Sequence, residues 1–320
     1  MKQRLEPLSG GIIHRLGEIR YQRDHEKTIR MKSYKDMDVS VIIVSYNTAA
    51  ATVDCLKSLE TANVVKEIFV VDNASTDESV QKIHQFLPDI HLMVNKINRG
   101  FAAANNQALP LCRGRFIIYL NPDTIVKPDT LGKAVAFMDT HQDVGLAGAK
   151  ILNPDGSLQE SVSWRYPGEK FTRGETAGLA GSIACILGAF MIARKSLLNE
   201  LHGFDEDFFL YGEDQDLAWR IREKGFSIGY IEDAEVFHWG GQSEARTPPA
   251  AVFEKKLNAE YLFYAKHYKQ DTIERIKRAQ RLKAKFRLLT LHLSLRFSAN
   301  KSKAQNKIDC YRLICKKTNA

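Results

Sequence analysis

The chain has 320 residues, of which 44% are hydrophobic and 26% charged, a balance that suits a folded protein with a large core and excludes a disordered chain. Its five cysteines, Cys55, Cys112, Cys185, Cys310 and Cys315, are scattered and form no C-x-x-C pair, which argues against a disulfide framework or zinc site and for a reducing, cytoplasmic setting. The net charge of +8 is uneven: residues 271–320 carry fourteen Lys and Arg against three acids, a net of +11, leaving −3 for the rest, so the basic cleft of a nucleic-acid enzyme is not expected and no nucleic-acid partner is assigned.

Residues 1–37 are polar and mixed in charge, an extension without the continuous apolar core of a signal peptide. The longest apolar stretch, Ile183 to Ala193, is well short of the ~20 residues that span a bilayer. A catalytic domain is expected over 38–270. VSVIIVS, from Val39 to Ser45, is a continuous β-branched run that predicts a strand buried on both faces. EIFVVD predicts a second strand, followed by a helix opening at STDESV, where Ser75 or Thr76 can cap and Asp77 and Glu78 suit the helix N-terminus. HLMVN precedes the helix-like GFAAANNQAL, and RFIIYL precedes a helix beginning near Pro128. This alternation predicts an α/β fold with a doubly wound, mostly parallel sheet.

Ligands of such sheets sit beyond the C-terminal ends of the strands. That rule selects Ser45-Tyr46-Asn47, Asp72-Asn73, Asn98-Arg99-Gly100 and Asn121-Pro122-Asp123. No G-x-G-x-x-G follows the first strand and no G-x-x-x-x-G-K-[ST] occurs, which disfavours a dinucleotide-binding domain and a P-loop. NPDG, from Asn153 to Gly156, signals a turn. The Gly-rich stretch from Tyr166 to Ala180 reads either as a lid over substrate or as a surface excursion.

Three places carry chemistry. Asp123 lies in NPDT after a strand, and Asn121, two residues earlier, can face the same ligand; a carboxylate is a hard donor suited to Mg²⁺ or Mn²⁺. In the segment from Gly203 to Gly225, a helix ending at Gly225 carries Leu217, Trp219 and Ile221, with Glu213, Asp214 and Asp216 in its first turn. Five acids between Asp205 and Asp214, set among Phe204, Phe208, Phe209 and Tyr211, exceed what helix capping requires. A carboxylate beside aromatic walls loses hydration, which raises its pKa toward general-base use. His238 follows a strand-like segment and precedes Gly240 and Gly241, which permit close backbone approach.

The ordered motifs VSVIIVSYN, VVDNASTD, NRGFAAANN, YLNPDT, LGAFMIAR, GFDEDFFLYGEDQDLAWR and VFHWGGQS, spanning about 38–243, resemble the family 2 glycosyltransferases with a GT-A fold, especially the rhamnosyltransferase-like branch of bacterial surface-polysaccharide assembly. The resemblance implies that Ser45, Tyr46 and Asp72 contact nucleotide base and ribose and that Asn98, Arg99 and Gly100 border the nucleotide. It places Asp123 and His238 on a divalent metal with the donor diphosphate, Asp214 as general base with Glu213 beside it as a positioning or secondary acid, and Gly188 and Ala189 near the donor sugar and acceptor floor. Asn121 departs from the fullest D-x-D form and supplies no charge. The Q-x-x-R-W signature of processive members is absent. The implied activity is inverting, non-processive transfer of a single sugar, rhamnose favoured, from a dTDP- or UDP-linked donor to a polysaccharide or lipid-linked saccharide. A nucleotidyltransferase would show a Gly-rich basic loop after the first strand, where SYNTAAATV has none; a non-catalytic nucleotide-sugar or membrane-binding scaffold is the alternative from another class.

The tail, 271–320, is expected to be a separate basic extension. Ile273, Ile276, Leu282, Phe286, Leu289, Leu293 and Phe297 recur at helical spacing among basic residues. The pattern suits a helix lying over 271–297 on an anionic membrane, peripheral to its cytoplasmic face, or one docked on the catalytic domain or a second subunit. LTLHLSLRF also alternates enough to allow a strand.

Overall fold

The computed structural model describes residues 37–244, 247–295 and 301–319. Apart from Met37, the expected N-terminal extension lies outside the described residues.

The β-branched run Val39–Ser45 (β1) is buried along its whole length because it has a parallel neighbour on each side. These are Lys66–Asp72 (β2) and Phe116–Leu120 (β4), and His91–Val94 (β3) continues the sheet beyond β2. Thr124–Val126 (β5), Val144–Leu152 (β6), Phe190–Arg194 (β9) and Ser227–His238 (β10) complete an eight-stranded sheet of order β3-β2-β1-β4-β9-β6-β10-β5. β9 runs antiparallel between β4 and β6, and β5 antiparallel to β10; the other six strands point one way. Val162–Ser163 (β7) and Cys185–Ile186 (β8) pair separately.

The mostly parallel sheet is therefore as expected, but sequence pattern did not reveal that β9 is reversed. The reversal matters for position. A reversed strand begins at the edge where its parallel neighbours end, so Gly188 and Ala189, just before β9, lie beside Asn121, just after β4; Asn121 N–H donates to Ala189 O at 3.0 Å.

Ala49–Glu60 (α1), Ser79–Phe86 (α2) and Thr130–Thr140 (α4) cover one face through Leu56, Leu59, Ile83, Leu131 and Met138. Phe101–Ala108 (α3), Lys195–Glu200 (α5) and Glu213–Glu223 (α6) cover the other through Ala104, Leu197, Leu217 and Ile221. Ser75 and Thr76 do not cap α2. They are drawn away to Asn47, whose N–H donates to Ser75 Oγ at 2.9 Å and whose Oδ1 accepts from Thr76 N at 2.8 Å. The N-cap is Glu78, which makes no side-chain capping bond, and Asp77 before it accepts from Ser79 N at 3.0 Å.

A third, aromatic cluster joins the sheet to the C-terminal helices Pro249–His267 (α7), Gln270–Leu295 (α8) and Lys301–Asn319 (α9). Trp219 of α6 is 3% exposed, with the ring of Tyr166 at 4.9 Å and that of Phe263 at 5.7 Å between centroids. Ile273 and Ile276 are buried in the same cluster, so the first turns of α8 are packed core.

The stretch from Tyr166 to Ala180 is not a free flap. Glu175 accepts from Lys269 N–H at 2.9 Å and from the Thr272 hydroxyl, Arg275 donates to Phe171 O at 2.9 Å, and Arg222 donates to Ala180 O at 2.6 Å. Both ends and the middle are held by helices α6 and α8.

Further along α8 the environment changes. Ala284 is buried against the rest of the molecule, as are Ala304 and Ile308 of α9. Leu282, Phe286, Leu289 and Leu293 are 64–73% exposed on the free side. The segment LTLHLSL is helical through Leu295, which removes the strand reading; Phe297 lies outside the described residues. Among the described residues no helix is long and apolar enough to cross a membrane.

Candidate active site

The C-terminal edge of the sheet opens into a cavity of about 510 Å³. One arm is lined by Tyr46, Thr48, Asn73, Asn98 and Gly100, the centre by Asn121, Asp123, Gly188, Ala189, Asp214 and His238, and the far arm by Tyr211, Glu244, Lys256 and Glu260.

In the first arm Asn73, at the end of β2, organises the loop. Its amide donates to Asn98 Oδ1 at 2.9 Å and Gly100 O at 3.1 Å, and its Oδ1 accepts from Asn95 Nδ2 at 3.1 Å and Arg99 N at 3.0 Å. Gly100 has φ of +86°, and a Cβ there would stand 2.6 Å from Phe209 O, so glycine is required for both reasons. Asp72 is fully buried; one oxygen accepts from Ser75 N at 2.9 Å, and Oδ2 has no partner among the described residues.

Three residues expected at the donor site are not among those that line the cavity, Asp72 being fully buried. Ser45 is fully buried and does not line the cavity, because its hydroxyl is taken by Thr48 at 3.2 Å and Thr52 at 3.1 Å. Arg99 is exposed and does not line the cavity; only its backbone N–H joins the Asn73 network.

At the centre, pairing of β5 with β10 sets His238 opposite Thr124. Trp239 N–H donates to Asp123 O at 3.0 Å, closing this junction. Asp123 and His238 are 7% and 6% exposed, and His238 Nε2 is 3.4 Å from both Asp123 Oδ1 and Asn121 Nδ2. The other ring nitrogen, Nδ1, is 2.9 Å from Gln159 Oε1. Among the described residues no third His, Cys, Asp or Glu joins Asp123 and His238. A hard carboxylate oxygen and an imidazole nitrogen converging from neighbouring strands fit Mg²⁺ or Mn²⁺ that takes its remaining ligands from phosphate and water. Gly240 and Gly241 have φ of +61° and +71°, and nothing lies within 4 Å of a Cβ built at Gly241. Left-handed backbone, more than clearance, requires glycine at Gly241.

Of the five acids between Asp205 and Asp214, three are engaged elsewhere. Lys266 pairs with Asp205 at 2.8 Å and Asp207 at 2.6 Å, and Asn106 donates to Glu206 at 3.1 Å. Asp216 is also structural, bonded to Arg220 at 2.7 Å and His267 at 2.8 Å. Glu213 and Asp214 are left facing the cavity from the first turn of α6. Asp214 Oδ1 accepts from Gln215 N at 2.8 Å, and Glu213 Oε2 is buried without a partner among the described residues. Burial, then the charge of Asp214, pushes the Glu213 carboxyl up to about 8; burial also raises Asp214. Burial resists two charges on this pair, so at neutral pH the pair holds one proton and presents one carboxylate to the cavity. Sequence reasoning missed Gln159 and Lys256 as site components, selected Asn73 by its strand-end position without giving it a role, and named Tyr211 only as an aromatic neighbour of the acids.

The family model described as "Glycosyl transferase family 2" matches residues 40–202. The chain is 25% identical over 256 residues to the N-acetylglucosaminyl-diphospho-decaprenol L-rhamnosyltransferase of Mycobacterium tuberculosis, covering 70% of this chain and 83% of that protein. It is 29% identical over 209 residues to the poly(ribitol-phosphate) beta-N-acetylglucosaminyltransferase TarS of Staphylococcus aureus, covering 63% of this chain and 35% of that protein. A mannosyltransferase from Pyrobaculum calidifontis, solved in complex with GDP-Man and Mn²⁺, shares the fold with a TM-score of 0.56 at 18% identity, covering 88% of this chain and 86% of that one.

Glu213 supplies a stability test. Its folded state holds a proton to about pH 8, whereas an unfolded glutamate releases it near 4.5. Between those values the folded chain binds the extra proton, so this residue makes stability fall as pH rises through the window. Glu213→Gln is expected to remove that slope and be more stable than the parent above pH 8, by about 1–3 kcal/mol, with little difference near pH 5. Urea unfolding at both pH values measures it; parallel stability curves for the two proteins would contradict the assignment.

Proposed function

The chain belongs to glycosyl transferase family 2, and we propose that it moves a single sugar from a nucleoside-diphosphate donor to a saccharide hydroxyl with inversion at the anomeric carbon. One observation carries the reading: Asp214, without a cationic partner among the described residues and raised by burial, faces the same cavity as the Asp123–His238 pair.

Tyr46, Asn98 and Gly100 border the donor nucleotide, and the fully buried Asp72 holds the adjoining loop through Ser75 N–H. Asp123 and His238 would hold a divalent cation whose charge offsets that of the leaving diphosphate. Asp214 takes the proton of the acceptor hydroxyl as its oxygen bonds to the anomeric carbon and the bond from that carbon to the diphosphate oxygen breaks. Glu213, kept protonated, limits the pair to one negative charge and leaves Asp214 as the base. Attack from the face opposite the leaving group inverts configuration. A rhamnosyl donor is favoured by likeness to the mycobacterial rhamnosyltransferase, which also suggests a lipid-linked acceptor.

The free face of α8 supports membrane association. Leu282, Phe286, Leu289 and Leu293 form an exposed apolar stripe beside exposed Arg278, Lys283, Lys285 and Arg287. Each basic residue near an anionic surface contributes ~1 kcal/mol of attraction. The stripe begins near the cavity: Gln280 donates to Glu260 Oε1 at 3.0 Å, and Glu260 lines the far arm. A lipid-linked acceptor lying in the bilayer would meet the cavity there.

Two outcomes are expected. With a panel of nucleotide-sugars, Asp214→Asn should lower turnover at least ~10²-fold while nucleoside-diphosphate affinity, measured calorimetrically, stays within a few-fold; turnover equal to the parent's would contradict the base assignment. In flotation with anionic liposomes the parent should rise with the vesicles, and a variant with Leu282, Phe286, Leu289 and Leu293 all changed to Gln should stay below. Equal recovery, or concentration-dependent dimers lost in the variant, would assign the stripe to protein contact instead.

A further inference from the structure

We infer that Gln159 is a positioning residue that sets the tautomer of His238 and thereby presents the lone pair of Nε2 to a divalent cation; the inference rests on the metal role proposed for Asp123 and His238.

The two ring nitrogens of His238 meet different chemistry. Nδ1 is 2.9 Å from Gln159 Oε1, an amide oxygen that only accepts. The contact is a hydrogen bond only if Nδ1 carries the proton. A neutral imidazole protonated there has its lone pair on Nε2. At Nε2 the two neighbours pull in opposite directions: the Asn121 amide nitrogen at 3.4 Å only donates and asks for the same tautomer, whereas the Asp123 carboxylate at 3.4 Å would accept from a protonated Nε2, so the shorter Gln159 contact decides. A ligating histidine commonly donates its other N–H to a carbonyl or carboxylate, which fixes ring orientation and raises ligand basicity.

Local backbone brings Gln159 to the ring. The turn at Asn153 closes by Asn153 N–H to Ser157 O at 2.8 Å, and Gln159 N–H donates to Ile151 O at 2.9 Å, returning the chain along β6. β6 is the parallel neighbour of β10, which ends at His238. Gly240, with φ of +61°, then turns the chain over the pair: a Cβ built on it lies 3.6 Å from His238 Cε1 and 3.8 Å from Gln159 Nε2. The imidazole and the amide are held together from both sides.

The test uses the full chain. Long-range ¹H–¹⁵N correlation of the histidine rings at about pH 8, where an ordinary imidazole is neutral, reads the tautomer; the His238 signals are those missing from His238→Gln. The parent should show Nδ1–H. Gln159→Met, which removes the acceptor at similar size, should shift His238 toward Nε2–H and weaken binding of Mn²⁺ alone, followed by its electron paramagnetic resonance signal, about 10–100-fold. Gln159→Glu, which restores an acceptor, should return Nδ1–H and recover or tighten Mn²⁺ binding. Unchanged near-ultraviolet circular dichroism confirms that the variants are folded. Nε2–H in the parent, or a Gln159→Met protein with both tautomer and Mn²⁺ affinity intact, would overturn the inference. The expected tautomer changes in a parent that binds no Mn²⁺ would uphold the hold of Gln159 on the ring and overturn its metal role.

Discussion

Two backbone hydrogen bonds fix the short loop after β4, and the rest of the site is arranged about it. Asn121 N–H reaches Ala189 O on one side, and Asp123 O receives Trp239 N–H on the other. Pro122, between them, has no N–H to satisfy. The first bond exists because β9 enters the sheet reversed, and the second because β10 runs far enough to pair with β5. Together they bring segments distant in sequence to one edge: the Gly188 turn beside Asn121, and His238 beside Asp123. Gly188 also meets α6, since a Cβ built there stands 3.9 Å from Asp214 Oδ2.

Charge is sorted around that edge by burial and partnership. An acid that is paired, such as Asp216 with Arg220 and His267, joins helix α6 to α7 and has no free capacity for chemistry. Glu213 and Asp214 sit one and two residues into the same helix without a cationic partner among the described residues, where the helix N-terminus gives partial compensation but burial still resists a second negative charge. The contrast within one short acidic segment separates structural from reactive carboxylates. The aromatic cluster about Trp219 supports this arrangement from behind, linking α6 to the helices that carry the exposed apolar stripe.

Much of this was legible in the sequence, for physical reasons. A strand buried on both faces must be continuously apolar, so VSVIIVS declared its place; ligands gather beyond parallel strand ends, so Asn98, Asn121 and Asp123 were found by position. What was hidden depends on contacts between remote residues. FMIAR is a short apolar run that carries no sign of direction, so the reversal of β9 could not be read. The neutralisation of Asp205 and Asp207 comes from Lys266, far along the chain, and His238 meets Gln159 across 79 residues. Ser45 and Arg99 stand at strand ends or in a matching motif but outside the cavity lining, because local hydrogen bonding turns one inward and the other faces solvent.

The account centres on a single displacement at one face of the sugar, with Asp214 as the only carboxylate needed to take the proton. The most direct measurement is the anomeric configuration of the bond formed by the parent protein, read by ¹H NMR from the product of whichever nucleotide-sugar it turns over. The account predicts a configuration opposite to that of the donor. A product that retains the donor's configuration would contradict it.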